Sequence, residues 1–311
     1  MDIANVFHIG YQRTGSTFLQ QRVLLAHPQW IAHRNTAPFF FEETLFAGGI
    51  DRYRAMSTEA ADTAVILESH NALSGDTRID RPDVAANIRA IQPEARIIIG
   101  IRSHHTIMPS FHFLDVKNGG TLDYPTYVET AIANGKFRFD RMVAAYQDAF
   151  GPDRVLVLAY EDLRADPVAY VSRALRFIGV PEDLAAGLAN RPMKERYPDL
   201  GVRAILAFNR LLGERIGTRS IDQAEPNLRR RLRKQVNGLV SAASRRVPEA
   251  LVGWARIDTA AIAPRIAEAY GESNARLSVL IDRDLGALGY PVADTAQRVM
   301  NEDRRALASN G

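Results

Sequence analysis

There is no cysteine among the 311 residues of the chain. That removes disulfide frameworks, thiolate zinc sites, iron–sulfur clusters and cysteine nucleophiles from consideration, and it fits a reducing compartment. Long hydrophobic runs are also missing. Stretches such as Arg96–Ile101 fall far short of the ~20 apolar residues that cross a bilayer. Residues Met1–Ile9 show no basic leader ahead of an apolar segment, so no secretory signal is expected and the reading is cytoplasmic. Aromatic residues make up only 8% and do not alternate with basic residues as single-stranded nucleic acid would require. The net charge of +3 is too small to mark a nucleic-acid binder. What is present is ordinary for a globular protein: 46% hydrophobic and 24% charged residues, which excludes collagen-like, fibrous and largely disordered chains. The charge is unevenly placed, because residues 201–250 hold 11 Lys+Arg against 4 Asp+Glu.

Four short runs rich in β-branched residues stand out: Asn5–Ile9, Ala64–Leu67, Arg96–Ile101 and Arg154–Ala159. Each is nearly continuously apolar, as a strand buried on both faces of a parallel sheet must be. Helical patterns separate them, over Thr17–Ala26, Arg81–Ile91 and Tyr127–Phe150. After the fourth run, Asp166-Pro167 supplies an N-cap and a first-turn proline, and Gly179 closes the helix. Alternating strands and helices predict an α/β fold with a parallel sheet. Beyond residue 182 only helical patterns remain: Val202–Leu212, Pro226–Leu239 and Glu272–Leu288. The expectation is therefore one domain over 1–311, with an α/β core in 1–181 and a helical extension, 182–311, packed on it.

The segment Val6–Leu19 carries the most information. A strand enters a turn bounded by Gly10 and Gly15, and the turn enters a helix. Such a turn aims backbone N–H groups and a helix N-terminus at one point, which suits a phosphate. The spacing is that of a P-loop, but Ser16 stands where the lysine belongs and a cation, Arg13, comes three residues earlier. The third strand ends in Gly100-Ile101-Arg102, with no aspartate for magnesium. A displaced cation and no evident magnesium ligand argue against nucleoside triphosphate hydrolysis.

Two further constellations follow other strands. Glu68-Ser69-His70 ends the second run; His70 can take a proton near neutral pH, with Glu68 the competing base. Arg102 ends the third run and Ser110 lies eight residues on, so a guanidinium and a hydroxyl can face one oxyanion. His104-His105 have no carboxylate at metal-ligand spacing, and no zinc or other metal site is expected. In Leu228–Lys234, Arg229 pairs with Arg233 and Arg230 with Lys234 at four-residue spacing on a helix, a face for solvent, a subunit or an anionic acceptor.

Taken in order, these residues resemble the sulfotransferases that use 3′-phosphoadenosine 5′-phosphosulfate (PAPS). Gly10–Thr17 is similar to their 5′-phosphosulfate loop, and Arg102 with Ser110 to their 3′-phosphate site. Tyr160-Glu161-Asp162-Leu163, Asp166-Pro167 and Phe177-Ile178-Gly179 resemble the run after their fourth strand. The resemblance also takes in Tyr270–Asn274 and Asp284–Pro291. It implies a P-loop-like fold and metal-independent transfer of a sulfuryl group to a hydroxyl or amine of a small-molecule or saccharide acceptor, leaving adenosine 3′,5′-bisphosphate. It implies that Gly10, Gln12, Arg13, Thr14, Gly15, Ser16 and Thr17 cradle the donor, with Arg13 at the bridging oxygen, and that Arg102 and Ser110 hold the 3′-phosphate. His70 falls where cytosolic-type members place the base; carbohydrate-type members use a Glu after the first helix, where this chain has Thr36. An atypical P-loop kinase and a non-catalytic nucleotide-binding scaffold are the alternatives.

Overall fold

The computed structural model describes residues 6–20, 31–34, 65–75, 77–183, 185, 199–212, 227–244, 246–247 and 253–293. Five strands form one sheet: β1 (Val6–Gly10), β2 (Ile31–Arg34), β3 (Val65–Ser69), β4 (Arg96–Ile101) and β5 (Val155–Ala159), in the spatial order β2-β3-β1-β4-β5. All four pairings are parallel. Four of these strands are the apolar runs picked out above. The fifth, β2, has no counterpart among those runs and pairs along its length with Val65–Glu68 of β3. Its short, mixed sequence carries no period-2 or continuously apolar signal, so only pairing reveals it.

The helices are α1 (Ser16–Phe18), α2 (Val84–Ile91), α3 (His104–Lys117), α4 (Tyr124–Ala133), α5 (Phe139–Phe150), α6 (Tyr160–Ala165), α7 (Pro167–Ile178), α8 (Asp199–Leu212), α9 (Asn227–Ser244) and α10 (Ala263–Leu280). The helical stretch expected over Tyr127–Phe150 is two helices, because the chain reverses at Gly135 and Phe137, both at positive φ. The one expected over Glu272–Leu288 starts earlier and stops at Leu280, ahead of Asp282 at φ 47°. The predicted Thr17–Ala26 helix is described only as far as Gln20.

The sheet is buried on both faces, as its strands' composition requires. Val6, Leu67, Ile98 and Leu158 pack against Leu19, Leu163, Val171 and Leu175 on one face. Phe7, Ile9, Ile97 and Ile99 pack on the other against Val84, Ile107, Phe111, Val143 and Tyr270. Each such fully buried large side chain contributes roughly 1.5–3 kcal/mol. Tyr270, Leu277, Leu285 and Tyr290 belong to the same apolar cluster as the sheet, so α10 and the turn after it complete the core.

This layering sets the position of the site. The chain leaves β1 toward Leu19 on one face and leaves β4 toward Ile107 and Phe111 on the other. Adjacent strands whose following segments diverge to opposite faces create a crevice at their carboxyl ends, the ordinary ligand position in open parallel sheets.

Asp166 caps α7 as expected: its carboxylate accepts from the N–H groups of Val168 and Ala169, both at 3.0 Å, and Gly179 ends the helix at φ 82°. Asp166→Ala should cost about 1 kcal/mol of unfolding free energy, measured by denaturant titration. Asp166→Ser should recover most of it.

Candidate functional site

The turn after β1 is held by three main-chain anchors. Tyr11 N–H donates to the Gly100 carbonyl at 2.9 Å, Thr14 Oγ1 donates to the Tyr11 carbonyl at 2.6 Å, and Leu19 N–H donates to the Gly15 carbonyl at 3.0 Å. Gly15 lies at φ +86°, and a Cβ there would sit 2.5 Å from Leu163 Cδ2. A Cβ on Gly100 would sit 2.5 Å from Thr14 Oγ1. The turn therefore lies directly on β4 and α6, and larger residues at these two positions would push it away. Arg13 itself adopts φ 65°, a sparsely populated conformation for a non-glycine residue that surrounding contacts must enforce.

Arg13 and Arg102 meet at the carboxyl ends of β1 and β4. Arg102 Nη1 donates to the Arg13 carbonyl at 3.0 Å, and its Nε donates to Thr106 Oγ1 at 2.9 Å. Its guanidinium lies 4.3 Å from the centre of the Tyr160 ring. Arg13 Nε donates to Ser110 Oγ at 2.8 Å, with Phe113 beneath its guanidinium at 5.6 Å. Burial lowers the pKa of both groups, and in Arg102 the charge of Arg13 lowers it further. Both nonetheless remain cationic. Among the described residues neither forms a salt bridge with a carboxylate. The Glu161 carboxylate acts on Arg102 at longer range, and two desolvated like charges side by side favour a bound anion.

The expected site residues separate as follows. Gly10, Gln12, Arg13, Thr14, Gly15, Ser16 and Thr17 all lie in the turn or the first helical turn; Thr14 and Ser16 are buried and Thr17 is exposed. Arg102 and Ser110 come together with that turn through Arg13. His70 stands one residue past β3, its N–H donating to the His8 carbonyl at 3.1 Å and its carbonyl accepting from Leu73 N–H at 3.1 Å. It is partly exposed, whereas Glu68 is fully buried, level with Phe7 and Arg34. Glu68 is withdrawn because it lies inside the strand between two neighbours, whereas His70 stands just past the strand end. Ser69 Oγ faces His8 Nδ1 at 2.7 Å and accepts from Gln20 Nε2 at 2.8 Å, tying α1 to β3.

His104 and His105 diverge, as expected. His104 is fully buried, with Nε2 3.1 Å from the Phe137 carbonyl and Nδ1 3.3 Å from Asn274 Nδ2. Donation to the carbonyl fixes the proton on Nε2 and leaves Nδ1 to accept from the amide. The side chains of Arg229, Arg230, Arg231, Arg233 and Lys234, and residue Thr36, lie outside the described residues.

Three contributors had no site role assigned from the sequence, although Tyr160 and Glu161 belong to the run that carries the resemblance. Thr106 lies four residues from Arg102, a spacing that signals contact on a helix. Tyr160 had no such signal, because its place beneath Arg102 follows from the β4–β5 register, in which Ile101 faces Ala159. Glu161 accepts from Ser103 N–H at 3.0 Å and from the Tyr290 hydroxyl at 3.0 Å. It thereby caps the start of α3, and burial pushes its carboxyl up from the usual value.

Residues 81–183 match the sequence model of the sulfotransferase family. Curated protein sequences give no match. A solved sulfotransferase from Alicyclobacillus acidocaldarius aligns over 93% of this chain and 99% of its own, at 20% identity and TM-score 0.51, and shares the fold. A sulfotransferase domain from the Synechococcus PCC 7002 olefin synthase aligns over 86% of this chain and 97% of its own, at 18% identity and TM-score 0.45. A mouse sulfotransferase complexed with PAP aligns over 77% and 89%, at 12% identity and TM-score 0.42. Among the described residues no helix is long and apolar enough to cross a membrane.

Burial lowers the pKa of His104 from 6.5 to about 3. The unfolded chain takes up a proton at this residue below pH ~6.5 and the folded chain does not. Its contribution to stability is thus complete above pH 6.5 and is lost as pH falls toward 3, at about 1.4 kcal/mol per pH unit. Denaturant titrations from pH 7 to 4 should show this slope, and His104→Asn should reduce it by one proton's worth.

Proposed function

We propose that the chain is a PAPS-dependent sulfotransferase whose donor is held by the Gly10–Thr17 turn, a P-loop-like cradle, and by Arg102 and Ser110. The observation that carries this reading is the meeting of two part-buried guanidinium groups, Arg13 and Arg102, with Ser110 beside them and the turn's amides behind. Two cations at one crevice fit a ligand with two separated anionic groups, which a nucleoside 3′,5′-bisphosphate has. The Arg13–Ser110 hydrogen bond holds donors that would turn to the ligand's oxygens. Tyr160 gives Arg102 a cation–π support that keeps its planar fork oriented.

The chemistry follows from the charges. The acceptor hydroxyl attacks sulfur, a new S–O bond forms, and the bond from sulfur to the oxygen bridging the 5′-phosphate breaks. Adenosine 3′,5′-bisphosphate leaves with the electron pair. Arg13 stabilises the charge that develops on the leaving phosphate, and His70 takes the acceptor's proton. The sulfuryl group carries less charge than a phosphoryl group, which gives a reason for Ser16 in place of the P-loop lysine. His70 is preferred to Glu68 because Glu68 is fully buried.

We read the chain as one unit, supported by the shared core of α10 and the sheet. A cytoplasmic setting fits the absence of cysteine. The acceptor is a small molecule or saccharide.

The test is transfer itself. Purified protein, labelled PAPS and a metabolite extract should yield sulfated product by mass spectrometry, without added metal. His70→Ala should lower the rate by about 10²–10⁴-fold with bisphosphate affinity kept. Arg102→Ala should weaken bisphosphate binding by roughly 10–100-fold, as expected for lost charge-assisted hydrogen bonds. Magnesium-dependent ATP turnover would favour a kinase instead. Bisphosphate binding with no transfer to any acceptor would favour a non-catalytic scaffold.

A further inference from the structure

Beneath the turn lies a buried ion pair that the chemistry above does not use. Lys136 is fully buried, and its Nζ donates to Asp80 Oδ1 at 2.6 Å. The ammonium is also within 5.0 Å of the Tyr11 and Phe137 ring centres. The other carboxylate oxygen, Asp80 Oδ2, accepts from the Tyr11 hydroxyl at 2.9 Å and from Phe137 N–H at 2.8 Å. A buried pair of this kind is weak evidence for stability, because apolar residues of similar volume serve as well or better. Its retention calls for another reason.

That reason is supplied by what Asp80 joins. Tyr11 is the first residue of the turn, and its N–H and carbonyl are already held by Gly100 and Thr14. Asp80 fixes the third point, its hydroxyl. Asp80 also ends the segment that begins at His70, and that segment closes on itself through an antiparallel bridge between Gly75 and Asp80. The same segment touches the start of the turn: a Cβ on Gly10 would lie 2.8 Å from Ser74 Oγ and 3.1 Å from the Asn71 carbonyl. Its middle is held from α3, the helix of Ser110, where Asp115 accepts from Thr77 Oγ1 and from Arg78 Nε, each at 3.0 Å.

From this arrangement we infer that Asp80 is a positioning residue that couples the Arg13 turn to the His70 segment. It holds the donor side and the acceptor side of the site in one register, and Lys136 orients its carboxylate within the core. The Tyr11–Asp80 hydrogen bond is the coupling element. The consequence for catalysis rests on the sulfotransferase reading; the coupling itself does not.

The experiment compares two double variants of the full chain. Asp80→Leu/Lys136→Met removes the ion pair and the acceptor oxygen. Asp80→Asn/Lys136→Met also removes both charges but restores an amide oxygen for the Tyr11 hydroxyl and Phe137 N–H. Tyr11→Phe is the third variant and deletes one hydroxyl alone. Hydrogen–deuterium exchange in the ligand-free protein is read over residues 10–18 and 69–75, alongside affinity for adenosine 3′,5′-bisphosphate. The Asn/Met protein should exchange and bind within about twofold of the parent. The Leu/Met protein should exchange several-fold faster in both segments and bind about tenfold more weakly, and Tyr11→Phe should loosen the turn in the same direction. Equal exchange in the two double variants, or loosening spread evenly over the fold, would overturn the coupling. If the parent fails to bind the bisphosphate while exchange separates the variants as expected, the nucleotide reading fails and the coupling stands.

Discussion

Two guanidinium groups drawn out of water beside each other govern the architecture of this protein's crevice. Each loses hydration on burial and each is repelled by the other, so their meeting must be forced by the scaffold. The forcing is visible: Arg102 is pinned to the Arg13 carbonyl, laid on Tyr160 and bonded to Thr106, while Arg13 is held at positive φ and bonded to Ser110. The sheet makes this possible because β1 and β4 are neighbours whose following segments part to opposite faces. Close packing at Gly100 and Gly15 then brings the turn down onto β4 and α6. An anion with two separated charged groups would relieve that repulsion, which is the basis of the proposed donor site.

Much of this was legible in the sequence because the relevant signals are local. Continuous apolar runs marked four strands, Asp166-Pro167 and Gly179 bracketed a helix, and Gly10 and Gly15 marked the tight turn after β1. The eight-residue step from Arg102 to Ser110 survives folding because one residue follows a strand end and the other sits midway along the helix after it. The resemblance to PAPS-dependent sulfotransferases rested on several such local signals in the right order.

The rest depends on register and on contacts between distant segments. Strand β2 has no pattern of its own and exists by pairing with β3. Tyr160 reaches Arg102 only because Ala159 lies level with Ile101 across two strands. Preferring His70 to Glu68 depends on where β3 ends, since Glu68 lies inside the paired strand and His70 just beyond it. Nothing in the sequence marks Lys136, and the reversal between α4 and α5 carries it into the core against Asp80, 56 residues away. Asp80 and Tyr11 are likewise 69 residues apart.

The central claim is that this crevice grips a doubly phosphorylated adenosine through amides and two guanidinium groups without a divalent ion. A calorimetric titration of the purified chain with adenosine 3′,5′-bisphosphate in the presence of a chelator addresses it most directly. The prediction is a saturable heat at one site per chain that survives the chelator. No heat with the bisphosphate, together with tight magnesium-dependent binding of ATP, would contradict it.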